Sequence, residues 1–479
     1  MISSKIQKDI VHSFAEEVRQ AILEEIGHGV FGLLVDESAD VSHKEQMGVV
    51  FWFVDKKGAI KERFIGVVHV KETSSLALKS AIDDLFARYG MSITKVRGQG
   101  YDGASNMRGE FNGLRSLVAK ESRSAYYVHC FAHQLQLVVN QERSLSRPAA
   151  TRWGTHHKTL LRLEELFSTT IKVLEYIQDE GWEDIQKRQA CGLLKYFHTF
   201  DCVFYLHFML HILGLTANLS LTLQQKDQDI LNTMSLVEST KRELQKLRDD
   251  GWDSLMAKVA SFCKKHNVEM LIMEEDFVDL RNPRKRTNIS NMHHYKVNCF
   301  CTVLDLQIQE FNDRFTEVTT ELLICMAALS PSDSFHGFDK DKLLRLAKLY
   351  PDDFSYGEML SLEQQLDIYI DNIRRDERFK SVEHLGDFSC LMVKTQKHLA
   401  HPLVYRLLKL VLTLPVATAS VERCFSAMKL VKTAARNRIG DQFLSDCMVC
   451  FIEKELFDSV SNEKVIKKFQ MMNERRVVL

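Results

Sequence analysis

Proline and glycine are scarce in this chain, at 6 and 21 of 479 residues. That scarcity argues against a turn-rich all-β architecture and for long helices. A surplus of either charge is missing too, with 63 Lys and Arg against 64 Asp and Glu. No overall field therefore announces nucleic acid, and any such contact has to be a local patch. No stretch approaches the roughly 18 consecutive apolar residues of a membrane-spanning helix, so no membrane partner is expected. The N-terminus, MISSKIQKDIVHSFAEEVRQ, lacks the uninterrupted apolar core of a cleaved secretory signal. The 11 cysteines are odd in number and show none of the short spacings of a disulfide framework, which points to a reducing compartment. No repeat of fixed period is visible, which disfavours a solenoid. What is present is 45% apolar composition, ample for a folded intracellular protein of two or three domains.

A lead-in helix over about 5 to 26 gives way to strand patterns. VFGLLVD ends in Asp36, and QMGVVFWFVD and IKERFIGVVHVK read as a hairpin around the turn KKGA. LALKSAIDDLFARYG reads as an amphipathic helix closing on Gly90. ITKVRGQ is a fourth strand, YYVHC a fifth and FAHQLQLVVN a helix. The order describes a mixed sheet flanked by helices, an α/β layer architecture. From about 155 to 395 the spacing of apolar residues is helical almost throughout, broken at RNPRKRTNISNMHHYKVN, a polar, basic stretch that reads as an exposed loop.

Asp36 closes the first strand and Asp102 follows the fourth, inside the glycine-bearing turn VRGQGYDGASNM. If those strands are neighbours, both carboxylates project from one edge of the sheet. There they suit a hard divalent cation and the two-metal chemistry of phosphodiesters. Glycines on either side of Asp102 would then let a nucleic-acid backbone approach closely. Solvated turn acids, with glycines serving turn geometry, explain the same residues.

GLLVDESADVSHKEQMGVV, RGQGYDGASNMRGEFNGL, YYVHCFAHQLQLVV, TRWGTHHKTLLRL and HPLVYRLLKLVLTLPVATASVERCFSAMKLVKTAARNRI follow one another in an order that resembles the hAT superfamily of DNA transposases. The likeness is to relatives with a TTF- or MYM-type zinc-finger head, and it covers about 29 to 160 and 395 to 456. It implies a ribonuclease-H-like α/β core interrupted by a large all-helical insertion. The expected domains are a helical lead-in (1–28), the N-terminal part of the core (29–150), the insertion (151–395) and C-terminal core helices with the hAT dimerisation region (396–479). By resemblance the catalytic, metal-holding acids are Asp36, Asp102 and Glu422, with Mg²⁺ or Mn²⁺ as cofactor. The residues around Glu422 agree: Thr418 or Ser420 caps a helix whose Val421, Cys424, Phe425, Met428 and Val431 form one apolar stripe. Read alone, Glu422 is a favourable first-turn carboxylate.

The family's Arg-Trp motif falls on Arg152 and Trp153, implying a Trp that stacks on an unpaired base; packing between core and insertion is the plainer alternative. Its Cys-x-x-His motif falls on Cys130 and His133, where standard zinc spacing is lacking and a structural role is expected. Cys447 and Cys450 read as buried small hydrophobes, and His293, His294, Cys299 and Cys301 match no common finger. RNPRKR suits phosphate contact, nuclear import or a solvated loop. Relatives usually carry a zinc-binding domain ahead of the core, whereas this sequence starts almost at the core, and its connection from Asn140 to Arg152 is short. Specific recognition of DNA ends is therefore not implied. The expected function is metal-dependent DNA cleavage and strand transfer in the nucleus, with self-association through the C-terminal helices. Two rivals are a domesticated, catalytically silent descendant kept for dimerisation and regulatory binding, and a helical scaffold without nucleic acid.

Overall fold

Glu45–Val54, EQMGVVFWFV, is a strand with eight consecutive buried positions, which requires cover on both faces. It is β2 of a five-stranded mixed sheet ordered β3-β2-β1-β4-β5. The others are β1 (Phe31–Ala39), β3 (Ile60–His69), β4 (Val96–Tyr101) and β5 (Tyr126–His129). β1 pairs antiparallel with β2 and parallel with β4, β2 antiparallel with β3, and β4 parallel with β5. The structure is a computed structural model that describes residues 3–472 apart from 110, 141–154, 182, 224–229, 279–287 and 316–320. The chain divides into two units, the first of residues 1–134, 223–234 and 317–479, the second of 135–222 and 235–316.

The helices that matter to the sheet of the first unit are α1 (Ser4–Ile26), α2 (Ser75–Arg88), α3 (Leu114–Glu121), α4 (Phe131–Asn140, of which 131–134 belong to this unit), α5 (Pro402–Leu412), α6 (Ala419–Val431) and α7 (Asp441–Ile452). Ser3 and Ser74 cap α1 and α2 by accepting from the Ile6 and Ala77 N–H groups. One face of the sheet is closed by Phe86 of α2, whose ring lies 5.9 Å from Phe31 and 5.8 Å from Phe51. The opposite face takes the end of α5, where the Trp52 indole N–H donates to the Leu412 carbonyl at 2.7 Å.

That second face is bare of side chains where the chain crosses it. A Cβ on Gly32 or on Gly98 would lie 2.6 Å from the Thr413 carbonyl oxygen, and one on Gly98 also 2.6 Å from Pro415 Cδ. Gly100 faces Leu34 and the same proline. The glycines of VRGQGYDG thus admit the protein's own segment 413–415, and a Cβ on Gly103 would meet the His129 ring at 2.7 Å. The expectation that they make room for a nucleic-acid backbone is corrected: the space is already filled by protein.

Edge strand β3 carries a bulge between its pairs Val49–Gly66 and Val50–Phe64. Side chains from α1, from α7 and from the residue after it satisfy its loose backbone groups. Ser445 accepts from Val67 N–H at 3.2 Å, Glu453 accepts from Phe64 N–H at 2.7 Å, and Arg19 donates to the Ile65 carbonyl at 3.0 Å. An edge dressed in this way is poorly suited to pairing with another strand.

Three details differ from the sequence reading. Ile93–Lys95 forms a 3₁₀ turn, and β4 begins only at Val96. Helices within 321–400 belong to the first unit, although the sequence reading places them with the helices before them in one insertion over 151–395. Arg97, 3% exposed, explains why: it grips Asp353 through two hydrogen bonds of 2.6 and 3.1 Å. Finally, His293–Cys301 winds into a π-helix where a loop was expected, residues 279–287 lying outside the described residues.

The second unit is helical, with an aromatic core in which Phe204 lies 5.0 Å from Tyr295 and 6.1 Å from Trp252. Phe200–Leu223 is long and apolar enough, by length and composition, to cross a membrane, but 56% of its most apolar window is buried within the fold. All 11 cysteines are free, and Cys447 and Cys450 are half-buried rather than buried.

Lys432, at the C-terminal end of α6, meets Asp40 at 2.6 Å with both side chains fully buried (1% and 0% exposed). Burial works against ionised Asp40, but Lys432 and Ser42 hold its carboxyl below the usual carboxylate range. Removing one partner leaves an uncompensated buried charge, so Lys432→Met is expected to cost about 3–5 kcal/mol. Adding Asp40→Leu should recover most of that loss. Urea denaturation of the single and double variants checks this, and equal losses in both would sink it.

Candidate active site

The parallel pairing of β1 with β4 runs from Gly32 opposite Gly98 to Leu34 opposite Gly100. Asp36 and Asp102 each stand two residues beyond that last pair, so both reach the rim where β4 ends. β1 itself continues to Ala39, so Asp36 lies inside the strand and past its β4 partner rather than at its last residue. Its carboxylate accepts from the Glu37 N–H at 2.9 Å, and that of Asp102 from the Ala104 N–H at 3.1 Å. The Tyr127 hydroxyl donates to the Asp102 carbonyl at 3.0 Å and fixes the turn.

Glu422 comes to the same rim from the other direction. Asp36 pairs across the sheet with Gly48, and a Cβ on Gly48 would lie 2.8 Å from Val421 Cγ1 and 3.2 Å from Phe425 Cζ. The first turn of α6 therefore rests on the strand position beside Asp36, with Glu422 the next residue along. Val421, Cys424, Phe425 and Met428 are buried, as the stripe requires. Thr418 occupies the cap position without a side-chain cap bond. Its N–H donates instead to the Cys130 thiol sulfur at 3.1 Å, which also accepts from the His133 N–H at 3.4 Å. Phe131 N–H donates to the Val416 carbonyl at 3.1 Å. Cys130 thus ties the start of α4 to the start of α6, and burial followed by the Glu422 charge pushes its thiol up to about 11.

The electrostatics show that the three acids share one neighbourhood. Burial first, then the charges of Glu422 and Asp102, hold the Asp36 carboxyl well above the usual carboxylate range. Glu37 is a fourth acid that the sequence reading passed over. Burial and the Asp102 charge push it up to about 7. Its signal was present in the dipeptide Asp36-Glu37, but alternation along a strand sends neighbouring side chains to opposite faces, and the turn at Asp102 is what brings the second one close.

Among the described residues neither Asp36 nor Asp102 forms an ion pair. A buried carboxylate raised by burial and by two neighbouring carboxylate charges, in a set of hard oxygen donors, fits a hard divalent ion. His12, Glu16 and Asp446 are the one described trio whose ligand atoms all lie within 4.8 Å of one another, so the rim acids are set wider. That trio is already served by the guanidinium of Arg19, 2.7 Å from Asp446 and 2.8 Å from Glu16. Arg152 and Trp153 lie outside the described residues.

Two family models match this sequence: residues 1–113 match "ZMYM1/FAM200, RNase-like domain", and 365–456 match the hAT family C-terminal dimerisation region. Over these two stretches the chain resembles transposase-derived proteins of the hAT type. It is similar to the 52 kDa repressor of the inhibitor of the protein kinase of Homo sapiens, with 19% identity over 504 aligned positions. The Mus musculus protein of the same name shows 19% over 505. Each alignment covers 92% of this chain and 64% of the relative, so the chain spans a little under two thirds of those proteins. The two matched regions are not separate bodies: α5, α6 and α7, from the second, close the sheet of the first.

Because the folded-state pKa of Asp36 is raised above its ordinary value of 3.8, the folded protein holds a proton the unfolded chain would release. Its contribution to stability is full below about pH 4 and is lost as pH rises through the folded pKa. Asp36→Asn is therefore expected to stabilise the cation-free protein at pH 7 to 8. The gain should vanish near pH 4. Thermal unfolding in EDTA across that range is the check, and a destabilised variant at pH 8 would contradict it.

Proposed function

We propose that this hAT-type chain cleaves and transfers DNA strands at the rim formed by Asp36, Asp102 and Glu422. The observation that carries the reading is geometric: the β1–β4 register brings Asp36 and Asp102 to one rim, and α6 seats Val421 on Gly48 beside Asp36, which brings Glu422 there from nearly 400 positions later in the chain. Mg²⁺ or Mn²⁺ held by these carboxylates supplies an activated hydroxyl and charge stabilisation for the leaving oxygen. The chain's own part is to hold the acids with little freedom. Asp36 is fixed by the Glu37 N–H, Asp102 by Ala104 and Tyr127, and Glu422 by the seating of α6 on Gly48 and Cys130. Glu37, with its pKa about 7, adds negative potential that favours cation capture once pH exceeds that value.

Two measurements test this. Mn²⁺ at 100 times its dissociation constant should stabilise the protein by about 2.7 kcal/mol, and Asp102→Asn should lose most of that stabilisation while keeping its circular dichroism. Supercoiled plasmid should be nicked in Mg²⁺ or Mn²⁺ by the parent protein and not by Asp102→Asn. Equal nicking by both would remove these acids from the reaction.

A second reading is a silent, regulatory descendant, favoured by the word "repressor" in the names of the relatives. It foresees cation binding without cleavage, working in the nucleus on DNA or on partners through self-association. Within the matched dimerisation region Phe451 of α7 is 53% exposed, while Leu444 and Met448 of the same helix are buried. We expect Phe451→Asp to shift a dimer to monomer by light scattering at micromolar protein without loss of helix content. An unchanged mass would place the contact elsewhere.

A further inference from the structure

Beside the acid rim, along the free edge of β5, lies a cavity of about 450 Å³ lined by residues of the first unit alone. That is within the roughly 300–1,000 Å³ of small-molecule sites. Its walls are mainly apolar and aromatic, Leu323 and Leu414 lining it together with Tyr127 and His129, whose ring planes lie 20° apart with centres 6.4 Å apart. Two polar groups enter it. Gln134, 2% exposed, donates through Nε2 to the His129 carbonyl at 3.3 Å, which fixes its amide and leaves Oε1 buried with no hydrogen-bond partner. A buried acceptor without a donor is costly in an empty protein. Arg115 lies at the same cavity with its guanidinium 5.3 Å from the Tyr127 ring centre and no carboxylate partner among the described residues. Glu321, which also lines it, faces Arg345 at 3.6 Å.

We propose that this cavity is a nucleotide site, in which the flat face of a base lies among the aromatic rings, an N–H of the base donates to Gln134 Oε1, and a phosphate is met by Arg115. The chemistry decides the class. A flat apolar ring alone leaves the Gln134 oxygen unserved, a neutral carbohydrate stacks through its C–H face but offers Arg115 no anion, and an anion alone does not fill an apolar cavity. The site requires no divalent ion and none of the rim acids. It is joined to the rim through Tyr127, whose hydroxyl holds the Asp102 carbonyl, and through His129, whose ring lies against Gly103. The nucleotide arrives either free or as one unpaired residue of a strand.

The test uses the full chain in EDTA, with two probes: 2-aminopurine nucleoside monophosphate, and a single-stranded ten-residue oligonucleotide carrying one 2-aminopurine. Saturable quenching of the fluorescence is expected with at least one probe. Gln134→Leu should weaken it tenfold or more, and Arg115→Gln threefold to tenfold. Asp102→Asn should leave it unchanged, so that failure of the metal reading and failure of this one are separable. Quenching by both probes assigns a free nucleotide, and by the oligonucleotide alone a strand residue. Gln134→Glu, which keeps an acceptor and the side-chain length, should retain saturable binding and guards against a folding defect in the leucine variant. Absence of saturable quenching with both probes at millimolar concentration overturns the proposal. So does parental affinity in a folded Gln134→Leu.

Discussion

Everything at the rim depends on a strip of sheet without side chains. Gly32, Gly98 and Gly100 leave room for the backbone of Thr413 to Pro415, and Gly48 leaves room for Val421 and Phe425. Glycine within a strand weakens it by roughly 0.5–1 kcal/mol relative to alanine, so four on one face are a standing weakness of the isolated sheet. The segment they admit buries Leu410, Val411, Leu412, Leu414 and Val416, each worth about 1.5–3 kcal/mol when fully removed from water. The exchange favours the closed arrangement. It also leaves α6 a single place to begin, which is how a carboxylate in the last quarter of the chain comes to stand beside one in the first tenth.

Buried charge then sets the position of what burial has brought together. Lys432 reaches Asp40 at one end of α6, while Arg19 holds Asp446 and Arg63 holds Glu453 at 3.1 Å on α7 and its end. Pairs so shielded add little net stability over apolar residues of equal volume. Their directional hydrogen bonds instead penalise every rotation of the two helices except one. Cys130 acts likewise without charge, its sulfur accepting from both Thr418 and His133.

Much of this was legible in the sequence. The apolar runs of β1 to β3, the helix of Leu76 to Phe86 and the stripe around Glu422 are local patterns, legible without knowledge of distant neighbours. Less legible was anything set by a distant neighbour. The glycines of VRGQGYDG look like turn residues because nothing nearby in sequence reveals Pro415 lying across them. The helices of 321–400 carry the same periodicity as those before them, and only Arg97 gripping Asp353 assigns them to the sheet. The π-helix at His293–Cys301 begins in a polar stretch that reads as a loop. Glu37 was hidden because adjacency in a strand ordinarily means opposite faces.

The order in which the parts appear along the chain has a consequence for its birth. β2 is buried on both faces, yet the segment that covers one of them begins at Pro402. At about 5–20 residues per second on a ribosome, the wait is on the order of tens of seconds. Throughout that interval a nascent sheet, one side greasy and its β3 edge undressed, has no partner of its own. Such a polypeptide leans on holding chaperones during translation, and a ribosome that stops early releases a sticky fragment rather than a smaller working protein.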